Sequence, residues 1–118
     1  MKDAVKTAEK ALSEVFEHWY HGFPEFAEGE EPDVYAAYTV NEKPVNFASG
    51  ISHARSYWFT VNIISGRYDN ELYLDAEEAF LKYGFIYSGG TDVSGYETSH
   101  PYPKRYQYTM DFIADENC

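Results

Sequence analysis

Val5, Ala8, Leu12, Val15, Phe16 and Trp19 recur three or four positions apart, with Lys6, Glu9, Lys10, Glu14 and Glu17 between them. That spacing gathers the apolar side chains on one stripe and predicts an amphipathic helix over residues 3–19, stopped by Gly22 and Pro24. Residues 21–33, with the acidic and breaker-rich run PEFAEGEEPD, read as a linker. VYAAYTV (34–40) reads as a strand, NEKP as a turn, and Val45–Phe47 as a short strand. A second helix follows over 70–83, with Asp69 or Asn70 as its cap. Leu72, Ala76, Ala79, Phe80 and Tyr83 form its apolar stripe, and Gly84 is its left-handed stop. FIYSG (85–89) and RYQYTMDFI (105–113) are further strands, separated by a long turn-rich stretch over 91–104.

The clearest alternation is SYWFTVNII (56–64). Tyr57, Phe59, Val61 and Ile63 share one face, and Trp58, Thr60, Asn62 and Ile64 share the other. The first set is a core face. Helix, strands, helix, strands in that order predicts an α+β fold: one domain over 1–118, with a mostly antiparallel sheet of about four strands packed with two helices. Two helices cover one side of such a sheet. The side carrying Trp58 and Ile64 is then left partly apolar and open, which points to a partner.

Composition sharpens this expectation. At 118 residues, 44% hydrophobic and 19% aromatic, the chain can bury a core. Twenty acids against nine bases give −11, which speaks against nucleic acid or anionic membrane bound through a general basic field. Only residues 34–68 carry more bases than acids, three against one. The charge-broken N-terminal helix has neither the pattern of a signal peptide nor that of a membrane span, which predicts a soluble intracellular protein. Cys118 stands alone, so neither an intramolecular disulfide nor a multi-cysteine zinc site can form.

Candidate chemistry is thin. His18 and His21, with Glu14 one turn before, offer a partial set of metal ligands, but two histidines at a helix end are the plainer reading. Glu28, Glu30, Glu31 and Asp33 lack the alternating spacing of a calcium loop. Glu71, Asp75, Glu77 and Glu78 lie opposite the second helix's stripe and read as a wet surface. SGGTDVSG lacks the order of a phosphate loop, and His53 and His100 have no nucleophile at a recognisable spacing. Lys104 and Arg105 among tyrosines are too few for a nucleic-acid surface at this net charge. These residues predict neither an enzyme nor a cofactor.

The arrangement itself carries more. PDVYAAYTV, SYWFTVNIISG, the helix DNELYLDAEEAFLKYGF, FIYSGG and the late RYQYTMDFIAD follow one another across nearly the whole chain, with Pro32 and Val34 opening the first strand and Tyr35 one position off the usual tyrosine. In this the chain resembles the tail-terminator (tail-completion) and head–tail joining proteins of long-tailed phages and prophages. The resemblance implies a virion structural protein assembled in the bacterial cytoplasm. It also implies a ring, commonly a hexamer, that caps the tail tube and meets the head connector. It brings no catalytic residue. The expected contact residues are Trp58 and Ile64, with Arg55, Arg67, Lys104 and Arg105 as cations facing acidic neighbours. The alternatives are an acidic DNA mimic of the anti-restriction type and a small ligand-binding module.

Overall fold

The computed structural model describes residues 4–27, 29–44, 55–66, 69–92 and 106–115. Its elements run α1 (Ala4–Val15), β1 (Trp19–His21), β2 (Val34–Pro44), β3 (Arg55–Ser65), α2 (Asn70–Lys82), β4 (Ile86–Asp92) and β5 (Tyr106–Asp115). The expected α+β class holds, with five strands in place of about four. They form one sheet in the order β1-β2-β3-β5-β4, antiparallel throughout except where β1 runs parallel to β2. No helix among the described residues is long and apolar enough to cross a membrane.

The additional strand comes from the end of the predicted first helix. α1 stops at Val15, and the aromatic run Trp19–His21 leaves it to pair with Ala36–Tyr38. Bulky aromatic side chains favour a pleated surface, and the pairing is locked on both sides. Ala36 N–H donates to the His18 carbonyl at 3.1 Å, and Gly22 N–H donates to the Tyr38 carbonyl at 2.7 Å. Gly22 then turns the chain out of the sheet at φ 83°, a conformation that glycine adopts without strain. NEKP is likewise not a turn: Asn41–Pro44 continue β2 and pair with Arg55–Trp58. The suggested strand at Val45–Phe47 lies outside the described residues.

α2 forms as its sequence predicts. The Asp69 carboxylate accepts from the Leu72 N–H at 3.1 Å, satisfying one of the first-turn donors. Gly84, at φ 91°, reverses the chain so that Phe85 N–H reaches the Phe80 carbonyl at 3.1 Å. Both helices pack on the sheet face that carries Phe59, Val61, Ile63, Met110 and Phe112. Ala4, Ala8 and Ala11 are buried in this core, and α1 lies close alongside α2. Phe80 stacks on Phe112 with ring centroids 4.3 Å apart. Fully burying one such side chain contributes about 1.5–3 kcal/mol, so this layer supplies most of the stability. At its margin the buried Tyr38 hydroxyl donates to Glu9 at 2.6 Å.

Candidate interaction surface

The register across β2, β3, β5 and β4 sets out the opposite face in four rows. Tyr35, Ile64 and Gln107 make the first, and Ala37, Asn62, Thr109 and Thr91 the second. Thr39, Thr60, Asp111 and Gly89 make the third, and Asn41, Trp58, Ile113 and Ile86 the fourth. Each row has its own chemistry.

The first row is covered by the chain itself. Phe26, from the acidic linker, and Tyr20, from β1, lie edge-on against Tyr35, at 5.3 and 5.9 Å between ring centroids. Beneath them Tyr35 and Ile64 are fully buried. The Tyr35 hydroxyl donates to Glu31 at 2.7 Å, and Gly66 N–H donates to the Asp33 carbonyl at 3.2 Å, tying the linker to the end of β3. Ile64, expected on the open face as a contact residue, is therefore core. The linker, expected as a solvated loop, is a cover with an aromatic plug.

The second row is polar and closed. Asn62 is buried, and its side-chain oxygen accepts from Gln107 at 3.0 Å and from Thr109 at 2.7 Å. A buried polar group is tolerated when satisfied in this way. In the third row the Thr60 hydroxyl donates to Asp111 at 2.9 Å across the strands.

The fourth row is apolar and open. Trp58 retains 36% of its surface and Ile86 51%, with half-buried Ile113 between them. Trp58 is thus partly exposed on the face opposite the helices. Of the expected cations, Arg55 begins β3 opposite Pro44, while Arg67, Lys104 and Arg105 lie outside the described residues.

The metal candidates are separated by the strand. His21 lies in β1 and shares a face with Trp19, whereas His18 precedes the strand and lines a pocket with Pro32, Asp33 and Val34. His21 stacks on Tyr38 at 4.6 Å. Glu14 is engaged across the helix layer, where Lys82 reaches it at 3.0 Å and the Tyr83 hydroxyl donates to it. The Tyr83 hydrogen bond, then Lys82, holds the Glu14 carboxyl below the usual range, and Glu14 pushes Tyr83 and Lys82 up. No group of three or more His, Cys, Asp or Glu among the described residues is placed to hold a metal ion. Glu30 and Asp33 are exposed at the linker, while Glu28, His53 and His100 lie outside the described residues. Ser88–Asp92, read as loop beyond residue 89, continue β4 past a bulge between Tyr87 and Gly89. Thr91 and Asp92 therefore belong to a strand, and the remainder of the 91–104 stretch lies outside the described residues.

Two features escaped the sequence pattern. Phe26 sits alone in an acidic run, and its isolation was the available signal. Leu74 and Leu81 fall off the α2 stripe and are 51% and 44% exposed. Comparison with known protein families and with curated proteins finds no match for this chain.

Proposed function

We propose that the chain is a virion structural protein of a long-tailed phage or prophage: a tail terminator whose copies form a ring that caps the tail tube and meets the head connector. The observation that carries this reading is the open fourth row. The chain plugs one end of its second sheet face with Phe26 and Tyr20, whereas at the other Trp58 and Ile86 stay partly exposed beside half-buried Ile113. An exposed tryptophan with aliphatic neighbours on a flat strand surface is the composition of an interface anchor. The resemblance of the element order to the tail-terminator arrangement is what points that assembly toward a tail. The DNA-mimic alternative needs carboxylates held free in rows, and here Glu9, Glu14 and Glu31 accept hydrogen bonds from Tyr38, Tyr83 and Tyr35.

The test is assembly itself. Light scattering and negative-stain electron microscopy of the purified protein should find closed rings. A prophage lacking the gene should make tails that fail to join heads, and Trp58→Glu should fail to restore joining. A protein that stays monomeric and tails that join normally without it would refute the reading.

A further inference from the structure

The helix layer has two unlike flanks. On the β1 side, Lys6, Lys10 and Ser13 of α1 face Trp19 across a shallow groove of about 350 Å³. Glu9 also lines this groove, but its carboxylate is taken by the Tyr38 hydroxyl. What remains is two exposed lysines and a half-buried indole lining one groove. On the opposite side α2 packs over β4 and β5, with Glu77 close enough to act on the Tyr87 hydroxyl of β4. Leu74 and Leu81 lie one turn before and after Glu77 and Glu78, so all four share the outward side of α2, turned away from the sheet. Glu71 precedes Leu74 on this side and is likewise exposed.

Leu74 and Leu81 are not stray surface residues. They stand seven positions apart on one stripe, framed by acids, which is the form of a helix that lays itself into a groove. The groove that answers it, apolar at its base and cationic at its rim, lies beside α1 of the same molecule. We infer that the α2 stripe of one copy docks in the α1–β1 groove of the next, with Leu74 and Leu81 against Trp19 and Glu71 and Glu78 against Lys6 and Lys10. The occupant is thus a second copy of this chain.

Such a contact joins unlike patches head to tail, and a head-to-tail contact closes into a ring when its rotation permits. The inference rests on the ring reading and gives it a lateral interface. It leaves the Trp58 row, on the other layer of the molecule, for the neighbour along the tail axis. Opposite charges at the rim fix partner choice and register, while the leucines and the indole supply the desolvated centre.

Because all the invoked charges are exposed, they can be exchanged without touching the core. One variant, Lys6→Glu with Lys10→Glu, makes both flanks acidic. A second, Glu71→Lys with Glu78→Lys, makes both flanks basic. Native mass spectrometry and light scattering should find each variant folded and its self-association weakened roughly tenfold or more. Mixed in equal amounts, the two should restore assemblies in which they alternate. Leu74→Ser with Leu81→Ser should abolish assembly without rescue by either. If the wild type forms rings and all these variants do the same, the inference is wrong while the ring reading stands. Variants that dissociate but fail to assemble when mixed also overturn it. A wild type that never assembles overturns both.

Discussion

Trp58 and Ile64 lie on the same face of the same strand, and one substitution made at each separates an open surface from a plugged one. At Ile64, fully buried under Tyr35 and Phe26, glutamate loses the burial of an isoleucine, about 2 kcal/mol. The carboxyl must also stay neutral there: a rise of ~3 pH units in its ionisation, at about 1.4 kcal/mol each, adds about 4 kcal/mol at neutral pH. The sum, about 6 kcal/mol, matches or exceeds the stability of many domains this size. At Trp58, with 36% of its surface in water, the carboxylate reaches solvent and carries no such charge penalty. Loss of ~150 Å² of indole contact at about 25 cal/mol per Å² is about 4 kcal/mol gross. The glutamate stem and a compact denatured chain recover about half. Circular-dichroism melts at pH 7 should therefore show Trp58→Glu folded, with its midpoint lowered by roughly 5–10 °C, and Ile64→Glu without a cooperative transition. A folded pKa raised above the unfolded one means stability lost as pH rises, so Ile64→Glu should recover part of its transition near pH 4. Equal losses at the two positions would show that Trp58 is core and refute the open-face argument.

The remaining expectations concern the polar contacts. Asn62→Leu removes the oxygen to which Gln107 and Thr109 donate and should cost about 2 kcal/mol or more in urea unfolding despite the added apolar surface; a neutral or stabilising result would show the network to be dispensable. Glu14 should titrate below the usual carboxylate range by carbon-detected NMR, and Tyr83→Phe should raise it more than Lys82→Met, since the tyrosine hydrogen bond is the larger cause. Burial, then its hydrogen bond with Tyr108, pushes Tyr87 up to about 12. This raised value protects the fold below the unfolded tyrosine pKa and is lost as pH rises toward 12, so alkaline unfolding should be shallower in Tyr87→Phe.

The second helix is legible because its periodicity and its caps agree. Asp69 and Gly84 act where the sequence places them, and the stripe of α2 is the face that is buried. The alternation of SYWFTVNII likewise assigns Phe59, Val61 and Ile63 to the core. β1 was not legible, because Trp19 fits a helical stripe as well as it fits a strand. A parallel partner 17 residues away in sequence decided between them. Ile64 was misjudged for a related reason. Whether a sheet face is open depends on where a linker lies, and a linker has no periodicity. Phe26 covers that face through contacts with Tyr20 and Tyr35 that only the folded chain brings together.

The order of the rows explains why one face of the sheet can be half plugged and half exposed. Were the apolar residues of the first and fourth rows adjacent, they would form one broad greasy patch, and the chain would have to cover all of it or aggregate. The second and third rows keep them apart. Asn62, Gln107 and Thr109 close a hydrogen-bonded cluster, and Thr60 with Asp111 presents a wettable surface beside it. The plug over Ile64 can therefore be permanent without drawing Trp58 into it. A small apolar row bordered by hydroxyls and a carboxylate keeps one tryptophan partly exposed without joining the plugged patch. With the lysine groove beside α1 and the leucine stripe on the outer side of α2, the proposed lateral contact and the Trp58 row fall on different layers of each copy.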